Sequence, residues 1–285
     1  RFLARYHTSM LQTAIKPNVR LGVVNFLNTA PLISGMEFVD GVEFVHEVPS
    51  ELIGCLERHE VDIALASSID YQRSEIDLRI LPVGVLSSEG ETLTVRLCSN
   101  KPLEEITEVY CDTDSHTSIA LLQIILKQKY GITPKIIPSD IRSLFQSGTE
   151  WPETVLIIGD KVVTSSRESS QPYCLDLGHA WMEQTGLPFV FATWIGPENL
   201  DQYLVNRAMM LLDRQRRYNA QRIEQVVSRH SEDRGWNPET ALHYLTKHMQ
   251  YSFTPQHGES LALFFELAAS LSLIDAARPV LYYSE

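Results

Sequence analysis

Short β-branched and apolar runs alternate with segments of helical periodicity over roughly the first two thirds of the chain. The apolar runs predict nine strands. They cover residues 20–26, 42–48, 61–67, 78–86, 93–99, 108–113, 134–139, 154–160 and 187–195. Beyond about residue 198 the periodicity is helical only, and it predicts helices over 198–229, 237–250 and 257–273. Strands interleaved with helices are typical of an α/β protein with largely parallel sheets.

Two of the helical segments between strands have recognisable ends. The segment 49–60 has one apolar face, and Ser50 is placed to cap its start. The segment 115–131 has a longer apolar stripe, and Gly131 is placed to end it. We expect both segments to cover one face of a sheet.

The 285 residues suggest one large domain or two modest ones, but no Pro/Gly/Ser linker divides the chain. A chain that crosses more than once between two lobes needs no such linker. We therefore predict a two-lobed, periplasmic-binding-protein-like (type II) α/β fold with a ligand cleft between the lobes. Residues 19–92 plus 196–275 would form the first lobe, 93–195 the second and 1–18 a tail, with crossings near Leu93 and in the strand 187–195.

Composition excludes several classes of protein. Lys and Arg number 24 against 36 Asp and Glu, so the net charge of −12 argues against binding to nucleic acid or to an anionic membrane. No apolar run reaches the roughly 20 residues of a membrane-spanning helix. Four scattered cysteines form neither a zinc motif nor a thioredoxin motif, and they favour a reducing cytoplasm. Dinucleotide, P-loop, zincin and serine-hydrolase motifs are missing, and the nine histidines show no metal-ligand spacing.

The most informative polar cluster is VNFLNTAPL (24–32), where a strand runs into a turn and a predicted helix. Asn28 and Thr29 lie at the carboxyl end of the strand, where open α/β sheets bind ligands. Pro31 suits the first turn of the helix. Either side chain could instead only cap that helix, and the sequence leaves both interpretations open.

Two further hydroxyl-rich turns follow strands. LASSIDY contributes Ser67 and Ser68, and CDTDSHTSIALL contributes Ser115, Thr117 and Ser118. A helix start stabilises a nearby anion by about 0.3–1 kcal/mol through its dipole and its unpaired N–H groups. Ordinary capping accounts for either turn alone. Three such turns in both lobes predict a cleft for a small carboxylate-bearing ligand.

Several ordered blocks carry a family resemblance. RLGVVNFLNTAPL, VDIALASSIDY, CDTDSHTSIALLQIILKQKYG and LIIGDKV match in order, and the DLG…W…TGLPFVFA…W segment (176–194) is the most diagnostic. Together they resemble the chorismate dehydratases of the futalosine route to menaquinone, over about residues 19–275. The resemblance implies a lyase that converts chorismate to 3-[(1-carboxyvinyl)oxy]benzoate by loss of water. Because aromatisation drives this reaction, we expect no metal or organic cofactor.

The resemblance also implies residue roles. We predict one catalytic residue, Asn28, and a set of substrate-binding hydroxyls at Thr29, Ser67, Ser68, Thr94, Ser115, Thr117 and Ser118. Thr94 stands where the family commonly has a serine, after the turn SSEG (87–90). Asp160 of LIIGD matches as well, although a capping or turn role is the interpretation we favour.

The sequence contains no obvious His or Glu base among these turns. One hypothesis is that the enolpyruvyl carboxylate of the substrate takes the ring proton while Asn28 positions it or stabilises developing charge. Two alternatives remain: a solute-binding protein of the same architecture, and the related dihydroxynaphthoate-forming enzyme. The latter would need a histidine base and a different motif at 25–32.

Overall fold

The computed structural model describes residues 18–146, 151–164 and 171–284. Except for Asn18, the predicted tail 1–18 lies outside the described residues. Ten strands are present in these ranges: β1 (Val19–Val23), β2 (Val42–His46), β3 (Ile63–Ser67), β4 (Leu78–Ser88), β5 (Val95–Ser99), β6 (Glu108–Asp112), β7 (Lys135–Ser139), β8 (Thr154–Ile158), β9 (Tyr173–Asp176) and β10 (Phe189–Pro197). Only β9 lacks a counterpart among the predicted runs, because it is a short strand with two exposed residues.

The strands form two five-stranded sheets, in the orders β2-β1-β3-β10-β4 and β7-β6-β8-β5-β9. In the first sheet β1 is parallel to β2 and β3, whereas β10 is antiparallel to β3 and β4. In the second, β6 is parallel to β7 and β8, whereas β5 is antiparallel to β8 and β9. Each sheet is therefore mixed: four of its five strands run in one direction, as expected for a largely parallel sheet, and one strand is reversed. β5 and β10 arrive from the opposite lobe, so they run against their neighbours.

The α-helices in the described ranges are α1 (Ala30–Ile33), α2 (Leu52–Glu57), α3 (Asp70–Arg73), α4 (His116–Tyr130), α5 (Ile141–Gln146), α6 (Lys161–Thr164), α7 (Leu177–Thr185), α8 (Gln202–Ala220), α9 (Ile223–His230), α10 (Pro238–His243) and α11 (Pro255–Ser270). The predicted helix 115–131 is confirmed as α4, which ends at Gly131 with φ +71°. The predicted helix 49–60 shortens to α2, and Ser50 does not cap it, because Glu51 holds the cap position. The long helix predicted at 198–229 is two helices, α8 and α9.

The chain crosses between the lobes twice, side by side. The first crossing joins β4 to β5, and the second leads from α7 into β10, whose Phe189 pairs with Ser88 at the end of β4. The boundary expected at residue 195 therefore falls inside a strand of the first sheet and has to be moved to about residue 188. Leu93, in the first crossing, has φ +66°, and Asp176 accepts hydrogen bonds from the N–H groups of Thr92 and Leu93, each at 2.9 Å.

The helical C-terminal region contacts both lobes. α8 packs on α1 and β4 in the first lobe, whereas α11 packs on β10 and on α4 of the second lobe. The indole N–H of Trp181 on α7 donates to Ser260 on α11 at 3.2 Å. An apolar core runs continuously past this junction. None of the helices in the described ranges combines the length and apolar character that crossing a bilayer requires.

Candidate functional site

A small cavity of about 50 Å³ lies between the two sheets, where strands of both lobes end. Its polar lining includes residues from both lobes: Asn28, Ser67, Thr92, Thr94, Ser115 and Ser118. Apolar side chains such as Phe26, Leu86 and Ile158 complete the wall. Five of the eight predicted site residues therefore meet in one place, and the other three (Thr29, Ser68 and Thr117) do not line it.

Asn28 occupies a single 3-10 turn (Leu27–Thr29) directly after β1. Its amide nitrogen donates to the hydroxyl of Tyr244 at 3.2 Å. Its amide oxygen is buried and has no hydrogen-bond partner among the described residues. Neither Asn28 nor Thr29 makes a side-chain capping bond to the helices that begin here, so the capping interpretation of this turn is wrong. A buried acceptor without a partner costs about 1–3 kcal/mol. The Asn28 oxygen is therefore available to accept a hydrogen bond from a ligand.

Tyr244 is a site residue that the sequence did not reveal. Its hydroxyl lies 3.0 Å from the hydroxyl of Thr94, which in turn donates to the carbonyl of Thr92 at 3.4 Å. Burial raises the pKa of Tyr244, so the phenol remains protonated. The ring of Trp236 stacks on it, with centroids 4.9 Å apart. No local pattern identifies Tyr244, which lies 216 positions from Asn28 in a short π-helical turn (Tyr244–His248).

The adjacent serines at the end of β3 have different roles. Ser67 lines the cavity, and its buried hydroxyl has no partner in the described ranges. Ser68 donates its hydroxyl proton to the carbonyl of Val190 on β10 and does not line the cavity. Ser67 is the last residue of β3, whereas Ser68 is the first residue of the turn that follows and is bonded to β10.

The start of α4 uses its hydroxyls mainly for structure. Ser115 caps the helix by accepting from the N–H of Ser118 at 3.3 Å, and the two hydroxyls lie 3.1 Å apart. Both line the cavity. Thr117 points away from it and accepts from the N–H of Ile69 in the other lobe at 3.1 Å. The Thr117 hydroxyl therefore joins the lobes.

Asp160, at the end of β8, also joins the lobes. Its carboxylate accepts from the N–H of Leu27 at 3.0 Å, one residue before Asn28. Burial raises the pKa of Asp160 to about 6, although the Leu27 N–H and the nearby Arg234 act in the opposite sense. This contact crosses the cleft, so the side chain bonds to the opposite lobe, which the capping or turn role favoured by the sequence does not include. Gly159 has φ +79°, and a β-carbon there would lie 3.2 Å from the Phe26 ring.

A further hydrogen bond between the lobes involves His116, to which the sequence pattern assigned no role. His116 Nδ1 lies 2.8 Å from Asp70 Oδ1. Asp70 is almost fully buried, and burial raises its pKa while His116 opposes that shift. Because the two residues come from different lobes, this contact holds the lobes together.

An outer cleft of about 580 Å³ adjoins the cavity, and Phe26 and Ile158 line both spaces. Its basic side chains are already engaged. Lys161 pairs with Asp114 at 2.7 Å and with Asp112, and Arg234 donates to the side chain of Asn25. We infer that a ligand reaches the cavity from this cleft, past Phe26.

Comparisons with known proteins agree with this architecture. A structural-genomics protein from Archaeoglobus fulgidus superposes with a TM-score of 0.69 at 19% identity, covering 90% of this chain and 98% of that one. The alkanesulfonate-binding protein SsuA from Xanthomonas axonopodis pv. citri superposes with a TM-score of 0.66 at 13% identity, covering 92% of this chain and 95% of that one. A Candida albicans protein described as having the generic periplasmic binding protein fold superposes with a TM-score of 0.58 at 10% identity, covering 95% of this chain and 99% of that one. The predicted two-lobed fold is confirmed.

The sequence itself is similar to a named relative and matches a family. Over 241 residues the chain is 29% identical to the chorismate dehydratase of Thermus thermophilus, which covers 79% of this chain and 86% of that protein. The family model described as menaquinone biosynthesis matches residues 19–270, which include every strand and helix described above. The chain belongs to the menaquinone biosynthesis family.

Proposed function

We propose that this protein dehydrates chorismate to 3-[(1-carboxyvinyl)oxy]benzoate in menaquinone biosynthesis. The proposal rests on the amide oxygen of Asn28, which is buried in the cavity between the lobes without a partner among the described residues. Family membership and the similarity to a chorismate dehydratase support the same reaction. We expect the reaction to take place in the cytoplasm.

The cavity offers suitable groups for a dicarboxylate. Ser67 has an uncommitted hydroxyl, and Ser115 and Ser118 lie at the start of the long helix α4. A hydrogen bond to a charged group contributes about 1.5–3 kcal/mol, and the helix start adds up to about 1 kcal/mol. Two carboxylates held by two or three donors each would account for micromolar binding without an arginine.

The reaction removes a proton from the ring carbon that bears the enolpyruvyl ether and expels the neighbouring hydroxyl. The electron pair of the broken C–H bond completes the aromatic ring. The hydroxyl leaves as hydroxide, which takes up the proton from the protonated base to give water. No His, Asp or Glu is among the residues that line the 50 Å³ cavity. Chorismate is larger than this cavity, so the bound substrate would extend into the outer cleft, where Glu47 and Asp160 are the carboxylates of the lining. We assign the role of base to the enolpyruvyl carboxylate of the substrate, with these two side chains as the alternative bases.

Asn28 would act through a chain of hydrogen bonds to Tyr244 and Thr94. In the arrangement observed, the amide nitrogen donates to Tyr244, and the amide oxygen is available to a ligand hydroxyl. Each hydroxyl in this chain can donate or accept. Reversing the chain would turn the amide nitrogen toward the ligand, where it would stabilise a departing hydroxide. The chain thus allows Asn28 to orient the hydroxyl first and to donate to it as it leaves.

The deciding experiment is incubation of the purified protein with chorismate. We expect loss of chorismate and formation of a product that coelutes with authentic 3-[(1-carboxyvinyl)oxy]benzoate and is lighter than chorismate by one water. The Asn28→Ala variant at the same concentration is the control. Binding of chorismate without conversion, measured by calorimetry, would favour a solute-binding role instead. Absence of both binding and conversion would show that chorismate is not the substrate. The dihydroxynaphthoate-forming reaction would then be the next one to test.

A further inference from the structure

The second sheet holds a pair of thiols that the proposed reaction does not use. Cys98 on β5 and Cys174 on β9 are directly opposed in the antiparallel pairing. Their sulfur atoms lie 3.2 Å apart. Directly opposed residues of antiparallel strands have Cα atoms about 4.5–5.5 Å apart, and disulfides bridge Cα separations of about 4.4–6.8 Å. The backbone is therefore already placed for a disulfide.

The two thiols differ in accessibility. Cys98 is buried beside Ile141, Val155 and Ile157 in a small apolar cluster of the second lobe. Cys174 is exposed on β9, which forms the edge of the sheet. A reagent in solution can reach Cys174 but not Cys98. Such a pair suits a two-step exchange, in which the accessible thiol reacts first and the shielded thiol resolves the product.

The remaining cysteines provide an internal reference. Cys55 and Cys111 are both buried. Burial raises the pKa of Cys111 to about 12 and also raises the pKa of Cys55. The thiolate is the reactive form of cysteine, so these two thiols are protected in the folded protein. Neither lies opposite another cysteine in the strand pairings of the described chain.

We propose that Cys98 and Cys174 form a reversible thiol–disulfide site that exchanges with small-molecule disulfides such as oxidised glutathione. The Cys174 thiolate attacks one sulfur of the reagent, and the first glutathione thiolate leaves. The Cys98 thiolate then attacks the Cys174 sulfur, and the second glutathione thiolate leaves. The protein loses two electrons and two protons, and these are recovered as two molecules of glutathione. In a reducing compartment the dithiol is the resting form, and more oxidising conditions convert it to the disulfide.

The position of the pair defines what the disulfide would hold. β9 is hydrogen-bonded only to β5 within the described sheet, and it ends at Asp176. Asp176 caps α7 and accepts from the backbone of the first crossing between the lobes. A disulfide at Cys174 would fix this edge strand two residues before that carboxylate. Cys98 and Cys174 do not line the cavity, so the bond leaves the ligand site untouched.

The test exposes the folded, reduced protein to oxidised glutathione and then determines intact mass and the remaining thiols after unfolding. We expect the loss of two hydrogen atoms in mass and of two thiols, a Cys98–Cys174 cross-linked peptide, and full reversal by dithiothreitol. Cys98→Ser should retain a glutathione adduct on Cys174, because the resolving thiol is missing. Cys174→Ser should remain unmodified, because Cys98 is shielded.

Three results would overturn the proposal. One is recovery of all four thiols in the wild-type protein, and another is a lasting glutathione adduct on wild-type Cys174. The third is a cross-link that involves Cys55 or Cys111. A Cys55→Ser/Cys111→Ser double variant serves as the matched control, and it should form the disulfide as the wild type does. Cys98→Ala repeats the adduct experiment if Cys98→Ser does not fold.

Discussion

The turn after β1 and the start of α4 both carry short polar side chains but use them differently. Both follow the carboxyl end of a strand and precede a helix. At α4, Ser115 caps the helix and Thr117 accepts an N–H from the other lobe. In the turn Leu27–Thr29, the oxygen of Asn28 has no partner among the described residues. A polar group already bonded to the protein supports the fold, whereas one left without a bond is available to a ligand.

The largest expected effect is at Asn28. Asn28→Ala should lower kcat for chorismate at least about 10²-fold, because loss of one preorganised polar group costs that much in other enzymes. Asn28→Asp should be at least as damaging, since its charge repels a dianionic substrate. The melting temperature of Asn28→Ala should stay near that of the wild type, because Asn28 caps no helix. A destabilised variant with near-normal kcat would remove Asn28 from the catalytic role.

Asp160 provides a test through pH. Because burial raises its pKa from 3.8 to about 6, the folded state binds the proton more tightly than the unfolded state between these values. Stability contributed by this group is therefore present at low pH and is lost as pH rises through about 6. Asp160→Asn keeps an acceptor for the Leu27 N–H but cannot ionise. Its free energy of unfolding relative to wild type should rise by up to about 3 kcal/mol between pH 4 and pH 7.

Urea unfolding of both proteins at several pH values measures this difference. A difference between wild type and Asp160→Asn that does not vary with pH would show that Asp160 titrates normally. Glu60, an exposed carboxyl whose pKa is lowered mainly by its hydrogen bond to Arg58, gives a control of opposite sign. Glu60→Gln should therefore not gain stability relative to wild type as pH rises.

Tyr244→Phe tests the hydrogen-bond chain behind Asn28. The change removes one hydroxyl and keeps the stacked ring, and we expect kcat to fall about 10-fold, as loss of a bond of about 1–1.5 kcal/mol implies. Tyr251→Phe is the matched control, because its buried hydroxyl has no partner in the described ranges. That variant should keep normal kcat and equal or higher stability. Equal kcat losses in the two variants would contradict a specific role for Tyr244.

Substitutions of the adjacent residues Ser67 and Ser68 should distinguish a substrate-binding role from a structural role. Ser67→Ala should raise KM about 5- to 10-fold without lowering the melting temperature, because its hydroxyl faces the cavity without a partner among the described residues. Ser68→Ala should leave KM unchanged and lower the melting temperature, because the carbonyl of Val190 loses its donor. Steady-state kinetics and thermal melts on both variants decide the assignment, and the opposite pattern would exchange the two roles.

The smallest effects on the kinetics are expected at α4. Ser115→Ala should raise KM a few-fold and cost about 1 kcal/mol of stability, because Ser115 both lines the cavity and caps the helix. Thr117→Val should cost about 1–3 kcal/mol, because the Ile69 N–H loses its acceptor, while KM changes little. If Thr117→Val raised KM as much as Ser115→Ala, both hydroxyls would contact the substrate.

Local patterns predicted the elements, and long-range contacts decided the site. α4 was predictable because its cap, its apolar stripe and Gly131 lie within one segment. The roles of Ser67 and Ser68 depend on where β3 ends and on the contact of Ser68 with β10, which is distant in the sequence. The direction of β10 depends on its return from the second lobe. Tyr244 could not be found at all, because its partners lie on other elements far along the chain.

The hydrogen bond between Asn28 and Tyr244 also affects when the site can form during synthesis of the chain. The turn that holds Asn28 leaves the ribosome early, but its amide gains this partner only after Tyr244 has followed. A nascent chain that has completed both sheets therefore still lacks part of the network around Asn28. Since α11 comes later still and packs across both lobes, ligand binding should develop only after α11 has been synthesised and has folded onto them.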